Sequence, residues 1–209
     1  MSAPAFPFDS TGQQHLAARL GIWVFLATEL MFFGPLFAGY YYVRAMDAGA
    51  LALAARDTDL LLGTLNTVVL MTSSLCMAMA VSTARGGNSR ATLRYLWAVA
   101  ALGVTFLLIK SGEYVNDIAG GFVPANATGP GGHAGQLFRL LYFAMTGLHA
   151  LHLCVGLLLV AGFALEMLRG HRSATNAQRL EIVGLYWHFV DVIWLFLFPI
   201  LYLLGRSGT

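Results

Sequence analysis

The chain has 209 residues, of which 58% are hydrophobic and 11% charged, with a formal net charge of +2 and a mean hydropathy of +0.70. A soluble domain usually carries about 25% charged residues to face water, so this composition excludes an ordinary hydrated surface and points to a bilayer. The small net charge and the lack of a basic run exclude a nucleic-acid partner.

Residues 1–18 show neither a basic region before an apolar core nor a small-residue cleavage pattern, so the first apolar run reads as a retained helix. A bilayer crossing needs about 20 apolar residues at about 1.5 Å each. Runs of that length fall near Leu20–Val43, Leu60–Val81, Leu93–Val115, Leu140–Leu168 and Ile182–Leu204. The expected fold is all-α: a single polytopic membrane domain over residues 1–209, built as a bundle of five transmembrane helices. Arg85-Gly86-Gly87-Asn88-Ser89 and Gly129-Pro130-Gly131-Gly132 carry loop punctuation. The glycines and prolines between Asp117 and Leu137 argue against a stable helix there, making this the longest connection. Cys76 and Cys154 sit in apolar runs without a CxxC spacing and read as small buried hydrophobes.

Arginines set the expected orientation. Arg19, Arg85, Arg90, Arg94, Arg169, Arg172 and Arg179 lie at one end of the spans; Arg44, Arg56, Arg139 and Arg206 lie at the other, with Lys110 buried toward them. The heavier group places the N-terminus in the cytoplasm and the C-terminus outside.

Ionisable residues inside the spans are costly and so informative; a charge at a helix centre costs about 2.5 to 3.5 kcal/mol on insertion scales. The spans hold Glu29, Lys110, Glu113, His149, His152, His188 and Asp191. From the helix rise, Glu29 and Asp191 lie roughly 14 Å from the cytoplasmic face, His188 about 9 Å, and His149 and His152 roughly 10–15 Å. These five groups on three helices share an inner polar layer. His149 with His152, and His188 with Asp191, are i,i+3 neighbours and are expected to present common faces. Lys110 and Glu113 form a third such pair nearer the outer face, level with Asn66, as a second polar layer. Three readings of the inner layer stand open: a metal or haem site, interhelical polar glue, or a proton relay. Tyr40, Tyr41, Tyr42, Trp187, Trp194 and Tyr202 read as belt or packing residues. A free-standing transporter or proton channel is the rival class, although the chain has no inverted repeat and only Gly34-Pro35 suggests a broken helix.

Several stretches together resemble subunit III of the haem-copper oxidases. Arg19-Leu-Gly-Ile-Trp-Val-Phe-Leu-Ala-Thr-Glu29-Leu-Met-Phe-Phe-Gly34 resembles the helix carrying that family's membrane-buried glutamate. Leu65-Asn66-Thr67 with Ser73-Ser74 resembles its next helix, and Ser111-Gly-Glu113-Tyr114 a further element. Thr146-Gly-Leu-His149-Ala-Leu-His152 and Tyr186-Trp187-His188-Phe-Val-Asp191-Val-Ile-Trp194 resemble the last two helices. Longer family members carry two additional N-terminal helices, so the chain resembles the five-helix bacterial form, in the inner (plasma) membrane. The resemblance implies a non-catalytic subunit that packs on subunit I, beside subunit II and other subunits of the complex. It implies bound phospholipid and support of proton uptake, with haem and copper held by partner subunits and no cofactor or metal in this chain. Glu29 then corresponds to the buried glutamate, and Glu113, His149, His152, His188 and Asp191 to the intramembrane polar set, with Asn66 and Lys110 as structural polar residues. Thr28-Glu29-Leu-Met-Phe-Phe favours the cytochrome c oxidase branch; quinol oxidases and a subunit linked to nitric oxide reductases are the alternatives.

Overall fold

A computed structural model describes residues 10–55, 58–122, 132–169 and 176–204, and every regular element among them is helical. They are α1 (Thr11–Met46), α2 (Ala48–Ala55), α3 (Leu60–Arg85), α4 (Ser89–Ala119), α5 (Gly132–Leu168) and α6 (Asn176–Phe198), with a π-helical turn at Pro199–Leu204. Helices α1, α3, α4, α5 and α6 are each long and apolar enough to cross a membrane. Their ends are set by local chemistry. Ser10 accepts a hydrogen bond from Gln13 N at α1, Asp59 from Leu61 N and Leu62 N at α3, and Asn88 from Ala91 N at α4. The α3–α4 turn closes over Gly86–Asn88, with Gly87 at φ +73° where a side chain would be strained.

The helices outrun the apolar runs. Helix α4 continues through Asp117 to Ala119, and α5 begins at Gly132, so both ends of the expected long connection are helical. Asp117 and Arg139 are buried inside the bundle, Arg139 at 1% exposure. Helix α2 occupies a connector too short to span and packs on α5. Helix α1 runs unbroken through Gly34-Pro35. Cys154 is exposed on the apolar flank of α5 rather than buried, and Cys76 is half-buried. The Gly129-Pro130-Gly131 punctuation, the N-terminal nine residues, and Arg56, Arg172 and Arg206 lie outside the described residues.

Helices α3 to α6 form the core, with neighbours in contact around it, and α1 leans on α5 and α6. Helix α6 runs antiparallel to α3: Tyr202 meets Gly63, Trp194 meets Thr67, His188 meets Ser74 and Glu181 meets Arg85. Helix α1 is the least buried span and α6 the most. Met31, Leu61 and Leu158 are 77%, 78% and 73% exposed, a surface that hydrocarbon tolerates and water does not. Trp187 is fully buried where α4 and α5 offer glycine: a Cβ on Gly103 would stand 3.0 Å from its ring and one on Gly156 3.1 Å. Small residues of this kind let helices approach in a membrane, where apolar burial alone does not drive association. Gly156→Leu is expected to lower the thermal stability of the detergent-solubilised protein, whereas Gly162→Leu, on the same helix with nothing within 4 Å of its Cβ position, is expected to leave it unchanged. Equal melting temperatures for the two variants would remove Trp187 packing as a constraint.

Candidate functional site: two polar layers separated by aromatic rings

The outer layer is a closed network. Lys110 and Glu113 project from one face of α4 and pair at 3.0 Å, the ammonium 2% exposed and the carboxylate 1%. Lys110 also donates to the hydroxyls of Tyr142 on α5 (2.9 Å) and Tyr202 in the π turn (2.6 Å). Both hydroxyls donate to Glu113 Oε1, at 2.8 and 2.6 Å, and Tyr142 is also within 3.1 Å of Asp117 Oδ2. The ammonium lies 4.6–5.8 Å from the ring centroids of Tyr114, Tyr142, Trp194 and Tyr202, within the range where π faces stabilise a cation. Tyr202 is therefore a network member rather than a belt or packing residue. Tyr142 and Asp117 belong to it as well, and sequence reasoning missed both. The signal was periodicity: Asp117 lies one turn beyond Glu113 on the inward stripe of α4, and Tyr142 two turns before His149 on that of α5. Asn66 is fully buried on α3, but its amide makes no hydrogen bond to this network.

The inner layer divides into three parts. His152 Nε2 meets Glu29 Oε2 at 2.8 Å, joining α5 to α1, with these side chains 12% and 19% exposed. The other ring nitrogen of His152 bonds Leu148 O, and Tyr186 donates to the His152 carbonyl. His149 points elsewhere despite its i,i+3 spacing. It is 1% exposed, its ring lies 5.5 Å from Phe106 and 5.1 Å from Trp194, and neither nitrogen is hydrogen-bonded. His188 Nδ1 pairs with Ser74 Oγ at 2.7 Å. Asp191, one turn on, is 1% exposed; Ser74 adjoins its carboxyl, but neither carboxyl oxygen completes a hydrogen bond. The residues thus do not form one cluster. Among the described residues, no three His, Cys, Asp or Glu side chains converge as metal ligands would.

Between the layers lie Phe106 and Trp194, edge to face at 4.8 Å, with His149 against both. Trp194 turns its Nε1–H away to Thr67 Oγ1 (3.0 Å). Lys110 bonds Glu113, Tyr142 and Tyr202, whereas His188 bonds Ser74 and His152 bonds Glu29.

The sequence matches the family described as "Cytochrome c oxidase subunit III" over residues 9–206. The chain belongs to this family. It is 34% identical to a cytochrome c oxidase subunit 3 of Thermostichus vulcanus, covering 90% of this chain and 87% of the relative. It is 26% identical to a quinol oxidase subunit 3 of Bacillus subtilis, covering 99% and 95%. A heme-copper oxidase subunit I+III of Aeropyrum pernix matches 88% of the chain at 28% identity, using 22% of the relative's length. The chain is accordingly a subunit III of the haem-copper oxidases, of the cytochrome c or quinol type, and a multi-pass membrane protein.

Removing one partner from a buried ion pair strands the other, typically at about 3–5 kcal/mol. Lys110→Met is expected to destabilise the protein by about that amount, with partial recovery in the Lys110→Met/Glu113→Gln double variant. Thermal unfolding of the three proteins checks this; no recovery in the double variant would mean that the pair is not coupled.

Proposed function

We propose that the chain is the non-catalytic subunit III of a cytochrome c oxidase in a bacterial inner membrane. It packs on subunit I, alongside subunit II, and stabilises the complex during sustained turnover. The redox chemistry belongs to haem and copper in the partner subunits. The observation that carries the reading is the Glu29–His152 pair: a carboxylate on the most peripheral span is held at 2.8 Å by the motif histidine of α5 and is left partly accessible. Such a group is placed to act with a neighbouring subunit or lipid rather than within the bundle core. Partnership with subunit I is supported by the Aeropyrum relative, whose name joins subunits I and III. A cytochrome c donor is favoured by the 34% identity to the Thermostichus protein; a quinol donor is the second reading, supported by the near full-length Bacillus match.

The N-terminus lies in the cytoplasm in this reading. The cytoplasmic end then carries Arg19, Arg85, Arg90, Arg94, Arg169 and Arg179 against Glu166 and Glu181, whose carboxylates already pair with Arg179 and Arg85. That cationic excess, below flanks of exposed leucine and methionine, suits anionic phospholipid around the subunit. Glu29 and its histidine give the subunit its supporting role in proton uptake.

Purification in mild detergent from the native membrane is expected to yield this chain with a haem protein, seen in a reduced-minus-oxidised spectrum, that oxidises cytochrome c. Quinol oxidation instead would move the chain to the second reading, and a colourless protein alone would overturn both. Glu29→Ala is expected to shorten the active lifetime or weaken assembly without abolishing oxygen reduction; loss of haem reduction in a fully assembled variant contradicts this.

A further inference from the structure

Asp191 is not accounted for by polar glue. It is enclosed on α6 between the turns bearing Trp187 and Trp194, both fully buried, and its oxygens bind no other helix. A carboxyl so enclosed changes its protonation only through a neighbour that carries protons. Ser74 is that neighbour, because the antiparallel α3 brings it opposite both His188 and Asp191. His188 in turn reaches a cavity of about 330 Å³ at the arginine-rich end of the bundle, lined also by Arg19, Arg85, Gln178 and Glu181. Its Nδ1 is committed to Ser74 at 2.7 Å, so the cavity is left to the other edge of the ring.

We propose that the cavity, His188 and Ser74 form a proton route by which Asp191 exchanges protons with one membrane face. The proposal deepens the proton-support role given above and rests on it. In the loading step Nε2 takes a proton from hydronium in the cavity, leaving water, as Nδ1 passes its own to Ser74 Oγ. The Ser74 hydroxyl proton moves to an Asp191 carboxylate oxygen. The serine is neutral before and after, the histidine ends neutral as its other tautomer, and the carboxylate gains one proton; unloading reverses each transfer. The charged and titratable groups around the route are Arg19 from α1, Arg85 from α3, His149 from α5 and Glu181 from α6. Beyond Asp191 stand the rings of Trp194 and Phe106, with the His149 ring against both. The arrangement stores a proton and does not conduct one across the membrane.

Infrared difference spectroscopy of the purified complex tests this, with co-purifying haem as the control for assembly. The wild type is expected to show a carboxyl C=O band that Asp191→Asn abolishes and that shifts on transfer to D₂O. Ser74→Ala and His188→Phe are each expected to slow that shift by roughly 10²-fold, while Ser74→Thr, which keeps the hydroxyl, exchanges like the wild type. A wild-type complex without a D₂O-sensitive Asp191 band, or wild-type exchange in both blocking variants, overturns the route. Either result leaves the subunit III reading intact, because haem co-purification is scored separately.

Discussion

Inside a bilayer the ammonium of Lys110 has no water to bind, and the outer half of the bundle is organised around that fact. Helix α4 supplies Glu113 one turn away, α5 supplies Tyr142, and the π turn after α6 supplies Tyr202. Three separate elements therefore meet at one cation, which fixes their relative depth as apolar contacts alone would not. The π turn belongs to this arrangement: Pro199 lacks an N–H for the regular helical ladder, and the widened turn it opens carries Tyr202 into the network. Local irregularity of this kind often coincides with positions that matter.

The inner half follows a different rule. Four of its polar groups are paired across helices, Glu29 with His152 and Ser74 with His188, and each pair ties a different helix couple. The first fastens the loosely held α1, and the second clamps α3 to α6. Trp187 supports both by filling the space left by Gly103 and Gly156, which brings α4, α5 and α6 close at the same level. Membership in the subunit III family gives this architecture its setting, since an outward apolar surface of this kind suits a membrane rather than water.

Much of this was legible in the amino-acid order. Five apolar runs identified the five spans because hydropathy reports the length of hydrocarbon to be crossed. It could not report α4 continuing to Asp117 or α5 starting before Arg139, because those turns are polar and their burial depends on one another. The Lys110–Glu113 pair was readable because both residues lie on one helix. Tyr142 and Tyr202 were not, since a tyrosine acquires a polar role only from what another helix brings to its hydroxyl. His149 and His152 were read as one face. Three residues turn a helix by about 300°, so the side chains diverge by about 60°, enough for α1 to take His152 and the bundle centre to take His149.

The contact of Phe106 with Trp194 has an electrical consequence. A membrane potential falls mainly where a protein has few mobile dipoles or charges, and the rings of Phe106 and Trp194 form such a slab between polar groups on either side. Moving one elementary charge through a full potential difference takes about 2.3 kcal/mol per 100 mV. A charge that stays on one side of the slab meets only part of that drop. Phe106 and Trp194 thus set the polar groups on either side apart electrically as well as in space.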